Sequence, residues 1–152
     1  MLAPIARFVR GLVFHRGHSL YERSAVAMSP RRHSIRRLEF TSMAHAQELL
    51  DALPELESVT MPLGARTSRG PDHVRSLVVT GGTAVTDLVL GAWPALDTLT
   101  IACDRDISAG LATLGEKPYM QTLRVLRIRA PLETPVLRVL RDSLPKLTIE
   151  EL

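Results

Sequence analysis

Residues 96–101 read Leu96-Asp97-Thr98-Leu99-Thr100-Ile101: an apolar residue, two free positions, a second apolar residue, one free position and a third. This pattern occurs six times, and successive copies begin 26, 21, 18, 22 and 27 residues apart. The copies are Val9-Leu12-Phe14, Ile35-Leu38-Phe40, Leu56-Val59-Met61, Val74-Leu77-Val79, Leu96-Leu99-Ile101 and Leu123-Leu126-Ile128, with a weaker seventh at Leu144-Leu147-Ile149. Self-similarity at a spacing of roughly 20 to 50 residues is typical of a solenoid.

Each copy predicts a β-strand. Its second and third apolar residues are two positions apart, so they share one face of a strand, and the residues between them face the other side. The expected strands lie near residues 11–15, 37–41, 58–62, 76–80, 98–102 and 125–129.

Between the strands, the apolar spacing becomes that of a helix. Ala46, Leu49, Leu50 and Leu53 stand at i, i+3, i+4 and i+7, and Pro54 ends the stripe. Similar patterns predict helices at 85–92 and 107–114. Two further helices are predicted from their starts: one follows a capping box at Ser19 and Glu22, and the other begins at Thr134-Pro135, as N-cap and first helical residue. Strands joined by helical returns pair in parallel, which predicts an α/β fold.

The strand motifs and their proline-linked joints resemble those of an irregular bacterial leucine-rich repeat protein. The joints are Leu53-Pro54-Glu55-Leu56, Trp93-Pro94-Ala95-Leu96 and Leu144-Pro145-Lys146-Leu147. The resemblance implies a leucine-rich-repeat-like solenoid, with a curved parallel sheet and with helices on its convex side. The chain contains no Asn, which the family usually places after each strand, so the turns there must be satisfied by other groups.

Length and composition favour one repeat domain over residues 1–152, with about six to seven repeats. The single cysteine, Cys103, excludes an internal disulfide and fits a reducing, cytoplasmic setting. The sequence contains no run of about 18 apolar residues, so it predicts no membrane span. The chain begins and stops close to a strand, which leaves two explanations open: it is part of a longer protein, or its ends are capped by another domain or a second copy.

No combination of residues predicts catalysis. There is no recognisable triad, acid pair, metal cluster or phosphate loop, so we expect no enzyme activity, no cofactor and no metal site. Gly81-Gly82-Thr83 is interpreted as a turn plus an N-cap, and Cys103 as a structural thiol.

The sheet face opposite the core is the predicted binding surface, because repeat arrays commonly bind on their concave side. The candidate binding residues are Arg37, Glu39, Thr41, Thr60, Thr80, Thr98, Thr100, Arg127 and Arg129. This face begins basic, becomes rich in hydroxyls and ends basic, with Arg10, Arg36, Arg75 and Arg124 beside it. The expected function is therefore a non-catalytic protein–protein interaction scaffold whose partner has an acidic surface.

The charge distribution suggests an alternative function. Residues 1–38 hold eight Arg against the single acid Glu22, a net charge of +7, whereas the rest of the chain has a net charge of −4. Such a basic block can bind nucleic acid or another polyanion. Only one Trp, two Tyr and three Phe are available for stacking on bases, which weakens this alternative for single strands.

Overall fold

Strands and helices follow one another along the part of the chain that the computed structural model describes, which is residues 11–14, 20–40, 46–62, 70–81, 93–114 and 122–152. The strands are β1 (Gly11–Phe14), β2 (Arg37–Phe40), β3 (Ser58–Pro62), β4 (Ser76–Thr80), β5 (Thr98–Ala102), β6 (Val125–Arg129) and β7 (Thr148–Glu151). The α-helices are α1 (Leu20–Ala27), α2 (Ala46–Ala52), α3 (Ser108–Leu114) and α4 (Thr134–Ser143), and a 3₁₀ helix spans Pro30–Ser34.

The strands form one seven-stranded sheet whose spatial order is the order of the chain. All six pairings are parallel. The predicted α/β class and parallel pairing are therefore confirmed. The six predicted strands are confirmed as well, each beginning at the expected residue; positions 15 and 41, expected to end the first two, lie outside the described residues.

One face of the sheet, here called the inward face, carries the core. The register places Leu38, Val59, Leu77, Leu99 and Leu126 in one row across the sheet. Each of them is 1% exposed or less. Burying such a side chain contributes about 1.5–3 kcal/mol. The second apolar positions of five copies of the pattern therefore form one stacked, buried row.

The helices cover the same inward face. Leu49 and Leu50 of α2, Leu111 of α3, and Leu137 and Leu140 of α4 are buried in one apolar cluster with the strand residues. Because these helix stripes join the inward rows, the opposite face of the sheet, here called the outward face, carries the partly exposed and exposed residues of the strands.

The same turn leads into several strands. Backbone N–H groups donate to the carbonyl three residues earlier at Leu56 to Leu53 (3.3 Å), Val74 to Pro71 (3.3 Å), Leu96 to Trp93 (3.2 Å) and Leu147 to Leu144 (2.9 Å). Pro54, Pro94 and Pro145 occupy the second position of three of these turns, where the fixed φ of proline suits the geometry. The proline-linked joints are thus turns that precede strands.

Backbone groups also fix the strand starts. The Arg36 carbonyl accepts the N–H groups of Glu57 (2.9 Å) and Ser58 (3.0 Å), and the Arg75 carbonyl accepts those of Asp97 and Thr98 (both 2.9 Å). The carbonyls of Glu57 and Asp97 accept two N–H groups from the next strand in the same way. The starts of β3, β4, β5 and β6 are therefore held by the preceding strand through main-chain bonds, without asparagine side chains.

The seventh strand is present, but its predicted alignment is wrong. The register pairs Ile149 with Leu126, and Glu151 with Ile128. The apolar pattern Leu144-Leu147-Ile149 is therefore shifted by two residues from the other six copies. The physical reason is that Leu144 and Leu147 are joined to each other in the turn before β7, so neither is in the strand.

Four predicted helices are present as α1, α2, α3 and α4, and one detail of α4 differs from the prediction. Helices α2 and α3 fall within the predicted 46–53 and 107–114 segments. The N-cap of α4 is Glu133, one residue before Thr134, and it makes no side-chain cap bond. Pro135 is tolerated in that first turn because the N–H it lacks would have no intrahelical partner there. Residues 82–92 and Ser19 lie outside the described residues.

None of the helices in the described ranges has the length and apolar character needed to cross a bilayer.

Candidate functional site

The outward face presents its side chains in rows across the sheet. One row holds Arg37, Ser58, Ser76, Thr98, Val125 and Thr148, and the next holds Val13, Glu39, Thr60, Val78, Thr100, Arg127 and Glu150. A third row holds Pro62, Thr80, Ala102 and Arg129. Eight of the nine predicted site residues lie in these rows, and the ninth, Thr41, lies outside the described residues.

The predicted residues form an extended surface and not a single cluster. Arg37 and Glu39 are on β2, whereas Arg127 and Arg129 are on β6. These strands are four places apart in the sheet, which is about 19 Å at the usual strand spacing. The threonines at 60, 80, 98 and 100 lie between them on β3, β4 and β5 and are partly exposed. A partner that contacts both basic ends must therefore span most of the sheet.

An open groove of about 790 Å³ lies at the β1 end of the outward face. The described residues that line it are Gly11, Leu12, Val13, Arg37, Leu38, Glu39, Glu57, Ser58, Thr60, Arg75 and Ser76. Arg37, Glu39 and Thr60 of the predicted site are among them; Thr98, Thr100, Arg127 and Arg129 are not. The predicted surface thus has two parts: the groove at the β1 end, and the strands toward β6, which lie outside the described lining of the groove.

The β6 end of the face is less basic than expected. Arg127 Nε lies 2.6 Å from Glu150 Oε2, and the two residues are register partners on β6 and β7. Glu150 is absent from the predicted surface because the candidate residues come from the six stronger copies alone; a shift of two residues leaves Glu150 outward in either alignment. Polar residues on both sides of Ile149 in Thr148-Ile149-Glu150 were the signal that could have placed Glu150 outward.

The arginines at the strand starts are paired with acids of neighbouring segments. Arg75 Nη1 lies 2.9 Å from Asp97 Oδ2, and Arg124 Nε lies 3.9 Å from Asp97 Oδ1. Arg36 pairs with Glu55 and lies 3.7 Å from Glu57. The hydrogen bond and the charge of Arg36 lower the pKa of Glu55 below its usual value of 4.5. These three arginines therefore contribute less free positive charge than the sequence implied.

Three charged residues of the predicted surface differ from these. Within the described part of the chain, Arg37, Glu39 and Arg129 form no ion pair. All three are exposed. Among the described residues of the predicted surface, these three charges remain available to a partner.

The other chemically interesting residues have structural contacts. Ser108, which is buried, donates its hydroxyl to Asp106 Oδ1 (2.6 Å) and accepts the N–H of Glu133 (3.0 Å). The Asp106 carboxylate also accepts the N–H of Ser108 (2.8 Å), and these two hydrogen bonds lower its pKa. This network joins the start of α3 to the segment before α4.

Cys103 is buried, and its Sγ accepts the N–H of Arg105 at 3.5 Å. His73 Nε2 lies 3.0 Å from the Leu53 carbonyl oxygen, which links two neighbouring turns. Across the described ranges, no three His, Cys, Asp or Glu side chains gather closely enough to hold a metal ion.

No protein family, curated protein or solved structure matches this chain. Its repeated turns, its groove and the charges on its outward face are the features from which a function can be inferred.

Proposed function

We propose that this chain is a leucine-rich-repeat-like solenoid that acts as a non-catalytic scaffold and binds another protein through the outward face of its sheet. The observation that carries the proposal is the groove of about 790 Å³ on that face. Side chains of rigid strands line it, and a preformed surface lowers the entropy lost on binding.

The order of the strands supports a repeat architecture. Each strand pairs only with the strand before it and the strand after it in the chain, as expected of stacked repeats that contact their neighbours. The recurring turn before the strands, at 53–56, 71–74, 93–96 and 144–147, adds a second repeated element. In such arrays the sheet lies on the concave side, which is the usual binding surface.

The side chains of the outward face suit a protein partner. Arg37, Glu39 and Arg129 supply charge, the hydroxyls of β3 to β5 supply hydrogen-bond donors and acceptors, and Val13 supplies apolar area at 48% exposure. Protein interfaces combine these same elements, and arginine is enriched in them. An acidic partner surface would contact Arg37 and Arg129, since Arg127 is already paired with Glu150.

The proposal places the interaction in the cytoplasm, in keeping with the free, buried Cys103.

Polyanion binding is the second candidate, and the 3₁₀ helix Pro30–Ser34 favours it. This short segment carries Arg31, Arg32 and His33, and Arg31 and His33 are exposed. Contacts from such residues to phosphates would make binding strongly dependent on salt.

The test is a capture experiment with the full chain as bait, at low and high salt and with and without nuclease. The captured partner is then measured by titration calorimetry against Arg37→Glu and Arg129→Glu on the outward face, and against Arg138→Glu as a matched control on α4. Arg138 is exposed and has no ion pair within the described residues.

We expect each outward-face substitution to weaken binding by about tenfold or more, and Arg138→Glu to change it less than about twofold. A larger effect at Arg138 would mean that the helical side binds the partner. Capture that disappears on nuclease treatment would support the polyanion alternative instead.

A further inference from the structure

We infer that the groove at the β1 end of the outward face binds an extended segment of the partner protein, with an acidic and a basic side chain two residues apart. This inference rests on the proposed function and adds the position of the site and the chemistry of its ligand.

Two opposite, unpaired charges lie in the groove. Arg37 and Glu39 both line it, and Leu38 between them points inward and is buried. Strand geometry places side chains two residues apart at a separation of about 6.6 Å. Arg36, Arg75, Arg124 and Arg127 each have a carboxylate within 4 Å, whereas Arg37 and Glu39 have no ion-pair partner in the described part of the chain.

The neighbours of these two residues leave them accessible. Gly11 on β1 is the register partner of Arg37, and it has no side chain that could cover the guanidinium. Val13 is the register partner of Glu39 and is 48% exposed. On the other side, Ser58 and Thr60 of β3 are small. Arg37 and Glu39 are therefore long charged side chains between short neighbours.

An extended chain has the matching geometry. Its residues i and i+2 also point the same way and are about 6.6 Å apart, so an acid can lie over Arg37 while a base lies over Glu39. Hydroxyl groups of Ser58, Thr60 and Ser76 line the same groove. They can bond the backbone N–H and C=O groups that an extended segment leaves free, whereas a helix bonds these groups internally.

The charge of the groove disfavours a polyanion at this position. Glu39 and Glu57 line it together with Arg37 and Arg75, so positive and negative side chains are balanced. A phosphate chain would meet the carboxylate of Glu39 next to the guanidinium of Arg37. A segment with one charge of each sign satisfies both.

The experiment uses the full chain and fluorescent ten-residue peptides that share one Thr- and Val-rich backbone. The central triplet is Glu-Val-Lys, Lys-Val-Glu, Glu-Val-Glu, Lys-Val-Lys or Gln-Val-Gln. Binding is followed by fluorescence polarisation at low salt. We expect one or both mixed-charge peptides to bind at least about tenfold more tightly than the three others, since the orientation of the segment decides between the two orders.

Two substitutions should change the preference in a defined way. Glu39→Arg should move it to Glu-Val-Glu, and Arg37→Glu should move it to Lys-Val-Lys, each by about tenfold. Arg138→Glu, which changes an exposed charge on α4 outside the described lining of the groove, should leave the preference unchanged. Thermal melts confirm that the variants are folded.

The outcomes separate this inference from the proposed function. If no peptide binds up to 1 mM, or if binding ignores the charges, the inference is wrong. If the captured partner responds to Arg129→Glu but not to Arg37→Glu, the outward face still binds while the groove does not. If it responds only to Arg138→Glu, both proposals are wrong.

Discussion

The two faces of the sheet are formed by the same strands but differ in how much their side chains vary from strand to strand. On the inward face, Leu38, Val59, Leu77, Leu99 and Leu126 are 1% exposed or less and all apolar. On the outward face, the register partners of successive strands change from Arg37 to Ser58, Ser76, Thr98 and Val125. A close-packed interior accepts few side chains, whereas a solvated face accepts many. The inward face therefore determines the fold, and the outward face is free to serve binding.

The largest loss of stability is expected when leucines of the inward row are shortened to alanine. Leu77→Ala and Leu99→Ala should each reduce the free energy of unfolding by about 2–5 kcal/mol, because a buried cavity is left behind. Thr100→Ala, next to Leu99 but facing outward, should change it by less than about 0.5 kcal/mol. Urea denaturation measures all three. Losses below about 0.5 kcal/mol at both leucines would contradict the stacked row.

A second pair of substitutions adds the same methyl group once against the buried Trp93 and once on the outward face of the sheet. A Cβ at Gly70 would lie 2.1 Å from Cδ2 of the buried Trp93, so Gly70→Ala should destabilise the protein by about 1–3 kcal/mol. At Gly11, on the outward face, the nearest side-chain atom would be 3.6 Å away, and Gly11→Ala should cause no loss. Thermal melts of the two variants should rank them in this order; equal stability would show that the Trp93 side chain can move aside.

Charge pairing within the outward face should have a smaller effect. A double-mutant cycle with Arg127→Met and Glu150→Gln should give a coupling energy of about 0.2–1 kcal/mol that decreases in high salt. The same cycle at Arg37 and Glu39 should give a coupling near zero, since these two described residues form no ion pair with each other. Coupling at Arg37 and Glu39 as large as at Arg127 and Glu150 would mean that the groove charges satisfy each other.

The smallest effect is expected from the acid dependence of stability. The folded state lowers the pKa of Glu55 through Arg36 and that of Asp106 through Ser108. A lowered pKa stabilises the protein at pH values above the unfolded-state pKa, and this contribution is lost as the pH falls through the folded-state value.

Urea denaturation between pH 6 and pH 3 should therefore show a shallower loss of stability in Glu55→Gln and Asp106→Asn than in the native protein. Glu48→Gln, which changes an exposed carboxylate on α2, serves as the control and should follow the native curve. Variants that follow the native curve as closely as the control would exclude these two carboxylates as contributors.

The strands could be predicted from the sequence because the inward rows repeat. Six copies share one alignment, and each strand starts where its copy predicts. The seventh copy is misaligned because Leu144 and Leu147 fit the strand pattern although both are buried in the turn before β7. A sequence pattern does not distinguish a buried apolar residue in a turn from one in a strand. The predicted N-cap of α4 is one residue late. Thr134 is the preferred capping residue by type, but Glu133 has the extended backbone angles of the N-cap position.

The candidate surface was predictable only in part. Alternation along a strand places Arg37, Glu39 and the threonines outward, and their rows are present in the register. The pairing of each arginine depends on an acid in a different segment, as with Arg75 and Asp97 or Arg127 and Glu150. Predicting such a pair requires the register of two strands and the direction of two side chains, and the apolar pattern of one strand gives neither.

The agreement between chain order and strand order has a consequence for how the protein folds. Register partners on neighbouring strands are only 18 to 27 residues apart, so each pairing closes a short loop. Parallel sheets usually fold slowly because their strands must meet across long stretches of chain. Here the sheet can grow by adding one strand at a time to either edge of any pair already formed. Its folding rate should therefore depend on how fast the first two neighbouring strands meet, and little on how many strands follow.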